Sequence, residues 1–154
     1  GKHRSSLLTR FGIHLRKKAA SAYAGRLFQQ YDIRAASLEV PVGSLSGGNV
    51  QKAVIAREFS FDAPVLVISQ PTRGVDIGAT QFIHRHIMDK RDQGCAILLC
   101  SADLDEVFRL SDRIITLYEG EITGQFQAGS ISKEEIGYYM TGSRRKEAAP
   151  HGKA

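Results

Sequence analysis

The sequence predicts an α/β protein whose mostly parallel sheet is flanked by helices and followed by a C-terminal β-hairpin. Two short apolar runs, Val65–Ile68 and Ala96–Cys100, have the length expected of buried strands. Segments with helical periodicity precede, separate and follow these runs. Strands that alternate with helices are typical of a parallel sheet with helices packed on its faces.

The positive charge of the chain is concentrated at its beginning. The 154 residues carry a formal net charge of +5, and the part before Asp32 holds seven basic residues and no acidic residue. We expect this charge to form a solvated basic face, with lipid headgroups or nucleic acid as alternative partners. No series of aromatic residues and no base-recognition motif accompanies the charge, so we predict no nucleic-acid partner. No apolar run is long enough to cross a bilayer and no signal segment opens the chain, so we expect a soluble, cytoplasmic protein.

Residues 1–44 are predicted to form a helical portion of the protein. Tyr23, Leu27 and Tyr31 recur every four residues, as one face of an amphipathic helix over Ala19–Tyr31 requires. The following connector, Arg34–Ser44, contains proline and glycine. The chain length is that of one domain or part of one.

Residues 45–141 are predicted to form the α/β part. A Ser-Gly-Gly turn precedes a helix over about Asn49–Phe59, and Asp76 is a candidate cap for a helix that reaches about Lys90. Cys95 and Cys100 are expected to be buried free thiols.

The C-terminal third carries local signals for two helices and a hairpin. Asp103 with Glu106, and Ser132 with Glu135, have the spacing of capping boxes, and Glu119-Gly120 is a two-residue hairpin turn. Residues 142–154 are small, charged and Pro-containing, so we expect a disordered tail.

Two places in the chain carry candidate functional residues. The segment Leu45–Asn49, LSGGN, joins two glycines to a helix start, where backbone amides can bind a phosphate; a plain helix cap is the alternative. Ser69, Gln70, Ser101 and Ala102 follow the two predicted strands, and ligands bind at the carboxyl ends of strands in open parallel sheets.

Three longer stretches together resemble the ABC-transporter ATPase family. They are LSGGNVQK (45–52), QPTRGVDIGA (70–79) and SADLDEVFRLSDRI (101–114). With the apolar strand Val65–Ile68 before the second stretch, they follow the family's order of signature motif, Walker B strand, D-loop and switch region. Their wording is similar to the second ATPase half of the tandem ATP-binding proteins of simple-sugar and nucleoside importers. The resemblance spans roughly residues 35–142 and implies a partial P-loop-NTPase-type fold with a helical subdomain at its N-terminus.

The resemblance also identifies positions where catalytic groups are replaced. The family's Walker B Asp and Glu align with Ser69 and Gln70, and its switch His aligns with Ala102. A hydroxyl is a poor substitute for a carboxylate near Mg²⁺, and an amide cannot accept a proton, which forfeits about 10²- to 10⁴-fold of general-base catalysis. No stretch of the form G-x-x-x-x-G-K-[ST] occurs in the sequence. The resemblance therefore implies the C-terminal part of an ATPase domain that is inactive by itself.

The surviving motifs imply a role in trans. In the family, the signature of one half completes the ATP site that another half builds on its Gly-rich loop. We then expect ATP held by a partner half to be bound by Ser46, Gly47 and Gly48, with Gln51 nearby. We expect Asp76 of the D-loop to cross the seam between the two halves and also to cap its own helix. ATP and Mg²⁺ enter only in the assembled complex, whose implied partners are another ABC ATPase half and membrane permease subunits at the inner face of the membrane.

The sequence favours no metal site at its paired histidines. His84 and His86 are two apart on a predicted helix and point about 200° apart, so we assign no metal ligands. The alternative function is a non-catalytic interaction or regulatory module without a transport role.

Overall fold

The computed structural model of the chain describes residues 9–10 and 14–145. Within them lie five α-helices and six strands, and a 3₁₀ turn spans Val42–Ser44. None of the helices in these ranges has the length and apolar character needed to span a membrane. The helices are α1 (Lys17–Gln30), α2 (Gly47–Phe59), α3 (Ile77–Asp92), α4 (Leu104–Leu110) and α5 (Lys133–Met140), and the strands are β1 (Thr9–Arg10), β2 (His14–Leu15), β3 (Val65–Ser69), β4 (Ala96–Cys100), β5 (Arg113–Tyr118) and β6 (Glu121–Gln127).

The predicted α/β class is confirmed, and most elements lie where the sequence indicates them. One difference concerns the first 44 residues, which were expected to be helical. In addition to α1, the structure contains a short antiparallel pair there, in which Thr9 lies opposite Leu15 and Arg10 opposite His14. So short a pair carries no periodicity that a sequence window can detect.

The described chain divides into two compact units. The first contains the residues up to Leu66 together with Pro71–Ala96, and its core is formed by α2, α3 and the end of α1. Its centre is apolar, as helices that pack through one face require. The buried apolar side chains of this unit are Tyr31, Ile33, Ile55, Ala56, Phe59, Ala79, Ile83, Ile87 and Cys95.

The end of α1 is closed by a Schellman motif. Asp32 adopts the left-handed conformation with φ 44°, and the Ile33 N–H donates to the Phe28 carbonyl at 2.9 Å. Aspartate tolerates this conformation better than most residues with a Cβ atom. The motif turns the chain away from the helix and buries Ile33 in the core of the unit.

The strands β3 and β4 pair with each other in a two-stranded sheet. They run in the same direction, because the Ala96 N–H donates to the Pro64 carbonyl at their start and the Gln70 N–H to the Cys100 carbonyl at their end. The prediction that these strands are buried is wrong: Val67 is 70% exposed and Leu98 is 53% exposed. An apolar run indicates what a strand can bury, whereas its exposure depends on what covers its faces.

The two thiols therefore differ. Cys95 is buried and its Sγ donates to the Ala63 carbonyl, whereas Cys100 at the end of β4 is exposed. The expectation of two buried thiols is correct for Cys95 and wrong for Cys100.

The second unit contains residues 67–70 and the chain from Ile97 onward, and its main feature is the β5–β6 hairpin with α5. The predicted turn is confirmed, since Glu119 and Gly120 both have positive φ, of 49° and 82°, as a type I′ turn requires. Inside the unit the buried Thr123 hydroxyl donates to the Tyr139 carbonyl of α5 at 2.7 Å, and Ile136 is buried.

Local capping begins both helices of this unit. The Asp103 carboxylate accepts from the amides at the start of α4, and Ser132 forms a complete capping box with Glu135 at the start of α5. The predicted disordered tail is wrong for its first residues, because the Arg144 N–H donates to the Tyr138 carbonyl at 3.1 Å and Arg145 pairs with Glu121. The rest of that predicted tail, 146–154, lies outside the described residues.

Candidate functional site

The segment LSGGN, residues 45–49, presents an open helix start. Ser46 is the N-cap residue of α2, with φ −61° and ψ 154°, and its side chain caps none of the backbone amides of the first turn. The first amide that bonds within the helix is that of Val50, which donates to the Ser46 carbonyl at 2.9 Å. The earlier amides of a helix have no intrahelical acceptor, and the helix dipole adds partial positive charge there. Ser46 and Gly47 are exposed, so an anion has access to these donors.

The signature turn packs directly against the D-loop, residues 71–76. A methyl group at Gly48 would lie 3.3 Å from both Asp76 Oδ2 and Ala79 Cβ, which is closer than ordinary van der Waals contact. Glycine is therefore the residue that permits this approach of the two segments. This packing holds the LSGGN segment and the D-loop side by side within the first unit.

Asp76 caps α3, as expected. Its Oδ1 accepts from the Ala79 N–H at 2.8 Å. The expected role of Asp76 at a dimer seam stays a prediction.

Gln51 connects the same two segments. Its Nε2 donates to the carbonyl of Pro71 at 2.6 Å, and Pro71 is among the most completely buried residues described. The side chain expected near the nucleotide therefore ties α2 to the beginning of the D-loop. This hydrogen bond joins residues that lie 20 positions apart in the sequence.

The carboxyl end of β3 carries Ser69 and Gln70, the positions that the resemblance aligns with the family's Walker B acids. Ser69 is exposed and Gln70 is half-buried. The backbone N–H of Gln70 donates to the Cys100 carbonyl at 2.8 Å. This bond places the Gln70 backbone beside the end of β4, two residues before the exposed Ala102. None of these three side chains can ionise to supply a carboxylate or an imidazolium.

Gln70 also has a strained backbone. Its φ of 49° lies in the left-handed region that residues with a Cβ atom seldom adopt. Such conformations persist where the surrounding structure imposes them, and they occur often at functional sites. At Gln70 this main-chain conformation occurs together with an uncharged side chain.

The residues at this strand end do not fit a magnesium ion. Mg²⁺ in nucleotide sites is held by carboxylates and phosphates, and a serine hydroxyl beside a glutamine amide supplies no anionic oxygen. Within the described residues no group of three or more His, Cys, Asp or Glu could hold a metal ion. His86 instead stacks with Phe82, with ring centroids 4.1 Å apart, and His84 is buried in α3.

An ion pair that sequence reasoning missed anchors the signature helix. Lys52 Nζ donates to both the carboxylate and the carbonyl of Asp32, each at 2.9 Å, and lies 4.6 Å from the centroid of the Phe82 ring. The Lys52 side chain is only 12% exposed. Lys52 belongs to the motif LSGGNVQK, but only the fold brings Asp32 to it. The pair joins the end of α1 to α2.

This ion pair predicts a specific pH dependence of stability. The hydrogen bond from Lys52, followed by its charge, lowers the pKa of Asp32 below its usual value. A lowered carboxyl pKa stabilises the fold at pH values above the unfolded-state pKa of about 3.9, and this contribution is lost as the pH falls through the lower folded-state pKa. We expect Lys52→Met to bring that pKa back toward its unfolded value and to weaken the acid dependence of the melting temperature.

Thermal melts between about pH 2 and pH 6 would measure this effect. Arg57→Met is the control, because it removes an ion pair at the surface. Arg57 pairs with its sequence neighbour Glu58, and the Arg57 side chain is 71% exposed. Its acid dependence should match that of the parent chain. An unchanged acid dependence in Lys52→Met would contradict the assignment.

Three curated relatives illustrate what the chain is similar to. It is 42% identical over 127 residues to the nucleoside import ATP-binding protein NupA of Lactococcus lactis, covering 82% of this chain and 25% of the relative. It is 42% identical over 132 residues to the guanosine import ATP-binding protein NupO of Bacillus subtilis, covering 86% and 25%. It is 40% identical over 121 residues to the ribose import ATP-binding protein RbsA of Oceanobacillus iheyensis, covering 79% and 24%. The chain thus spans about a quarter of the length of the relatives it matches.

Solved structures show the same fold at low sequence identity. The dimeric structure of a bacterial ABC transporter cassette matches with a TM-score of 0.64 and 20% identity, covering 79% of this chain and 52% of the cassette. A nucleotide-free ATP-binding cassette from an ABC transporter matches with a TM-score of 0.63 and 20% identity, covering 86% and 49%. No protein-family model matches the chain.

Proposed function

This chain belongs to the ABC-transporter ATPase family, and on that premise we propose that it is the signature-bearing part of the ATP-binding subunit of a nucleoside or simple-sugar importer. The observation that carries the proposal is the exposed start of α2, packed against the D-loop through Gly48. Amides without intrahelical acceptors at a helix start favour a phosphate group.

The proposed ligand is ATP held by a second ATPase half that carries the Gly-rich loop G-x-x-x-x-G-K-[ST], called here the loop-bearing half. The Ser46 hydroxyl and the amides of Gly47 and Gly48 supply hydrogen bonds to its terminal phosphate. Donors that are already oriented by a helix bind an anion without reorganising when the two halves meet. Asp76 stands beside this donor group and is proposed to face the partner across the seam.

The strand end of this chain is proposed to be inactive in hydrolysis. Ser69, Gln70 and Ala102 offer neither a general base nor an anionic ligand. ATP and Mg²⁺ are accordingly proposed to be held by the loop-bearing half. The assembled protein is proposed to lie in the cytoplasm, peripheral to the inner face of the membrane and bound to permease subunits.

The test is nucleotide-dependent association. The 154-residue chain is titrated against a fluorescently labelled loop-bearing half from a tandem nucleoside import ATP-binding protein, with and without the slowly hydrolysed analogue ATPγS. We expect association at least about 10-fold tighter with the analogue, because the nucleotide supplies the charged phosphate that the α2 donors bind. Equal affinity in both conditions would refute the proposed role in trans.

A second candidate function is a non-catalytic interaction module. Val65, Val67 and Leu98 are all more than half exposed on β3 and β4, and an apolar strand surface of this kind often contacts a partner. Sizing chromatography with an apolar-surface dye distinguishes the two functions. A stable complex that covers these strands and forms without nucleotide would favour the interaction module.

A further inference from the structure

The side-chain amide of Asn49 connects the signature serine to the connector that precedes α2. The Arg34 N–H donates to Asn49 Oδ1 at 2.8 Å, and Asn49 Nδ2 donates to Ser46 Oγ at 2.9 Å. Asn49 is half-buried, whereas Ser46 is exposed. The amide thus lies between a backbone donor on one side and an accessible hydroxyl on the other.

The chemistry of the three groups determines the direction of both hydrogen bonds. A backbone N–H can only donate, so the oxygen of Asn49 must face Arg34 and its NH₂ group must face Ser46. An amide NH₂ group can also only donate, so Ser46 Oγ accepts. The hydroxyl keeps its single proton for another acceptor. No choice of amide orientation other than this one satisfies both contacts.

We propose that Asn49 is a positioning residue that holds the Ser46 hydroxyl as a donor toward the terminal phosphate of ATP on the loop-bearing half. This inference rests on the proposed function in trans. Ser46 alone could rotate its hydroxyl and donate its proton to a nearby carbonyl or to water. Accepting from Asn49 orients Ser46 Oγ and leaves the proton for the open side of the helix start.

The substitution Asn49→Asp separates orientation from packing. The shape is retained and one carboxylate oxygen still accepts from the Arg34 N–H. The other oxygen replaces the NH₂ group and becomes an acceptor for the Ser46 proton, so the hydroxyl is turned away from the phosphate. If Asn49 acted only by accepting a hydrogen bond from the Arg34 N–H, Asn49→Asp would leave that action intact.

The experiment is a double-mutant cycle on the 154-residue chain. The variants Asn49→Asp, Ser46→Ala and their combination are titrated against the loop-bearing half loaded with ATPγS. We expect Ser46→Ala and Asn49→Asp each to weaken binding by about 10-fold or more, the range of one hydrogen bond to a charged group. The combination should be little weaker than either single variant, because both remove the same bond. The NMR signal of the Arg34 amide in the free Asn49→Asp chain should show that this amide remains protected from exchange.

Each outcome decides between the two proposals. If Asn49→Asp weakens binding equally in the parent chain and in the chain that already carries Ser46→Ala, its carboxylate acts by repelling phosphate and the positioning role is overturned. If Ser46→Ala weakens binding while Asn49→Asp does not, the positioning role is overturned and the role in trans stands. If Ser46→Ala leaves nucleotide-dependent binding unchanged, both proposals fail.

Discussion

Replacing Ser46 with arginine is expected to weaken the ATPγS-dependent association with the loop-bearing half by about 100-fold, the cost of removing an oriented donor to a developing or bound anion. The substitution removes the hydroxyl and its bond from Asn49, and it puts a long side chain at the exposed start of α2. The added charge attracts phosphate, but the bulk keeps the phosphate from the amides of Gly47 and Gly48. Charge-assisted hydrogen bonds to phosphate are short, so the phosphate must reach these amides directly to form them.

Ser44→Arg is the matched control for this prediction. Ser44 is exposed two residues earlier at the end of the 3₁₀ turn, so the variant adds the same side chain and charge outside the donor group. Its affinity should stay within a few fold of the parent chain. Both variants are compared by fluorescence titration with and without ATPγS. Retained nucleotide-dependent binding by Ser46→Arg would show that the open start of α2 is not the phosphate site.

Gly142→Ala is expected to lower the free energy of unfolding by about 3 kcal/mol, the sum of a strained backbone and an overpacked contact. Gly142 has φ of 72°, in the region that favours glycine, and it follows α5. A methyl group there would lie 2.5 Å from Cδ1 and 2.6 Å from Cε1 of the Tyr118 ring. The ring belongs to the hairpin strand against which α5 packs, so yielding to the methyl group would disturb that contact.

Gly129→Ala separates strain from packing. Gly129 has φ of 81°, and nothing lies within 4 Å of the methyl position, so only backbone strain of about 1 kcal/mol is expected. Urea unfolding of both variants followed by circular dichroism gives the comparison. Equal losses in the two variants would show that the Tyr118 ring moves freely, and the packing of α5 on the hairpin would then have to be reconsidered.

Local chemistry allowed much of the fold to be predicted. Asp76, Asp103 and Ser132 begin their helices because each carries a side-chain oxygen that the first-turn amides can reach. Glu119-Gly120 forms its hairpin turn because two residues must take positive φ. Each of these signals involves residues within four positions of one another, so no distant partner is required.

The candidate site was predictable in its parts but not in its connections. The glycines at 47 and 48 indicate an anion site, and the neutral Ser69 and Gln70 are visible in the sequence. The link from Gln51 to Pro71 crosses 20 positions and the bond from Arg34 to Asn49 crosses 15. No periodicity or spacing rule reports on such pairs. Motif resemblance alone therefore placed Gln51 near the nucleotide, whereas the fold shows it bonded to the D-loop.

The sequence by itself determined the α/β class, the starts of α3, α4 and α5, the hairpin turn and the uncharged character of Ser69 and Gln70 at the end of β3, because these follow from side-chain chemistry and short-range geometry. Only the tertiary structure decided that Gly48 packs on Asp76, that Lys52 reaches Asp32, and that the apolar strands β3 and β4 are exposed. Contact and burial depend on which distant segments pack together, and that choice is made by the whole folded chain.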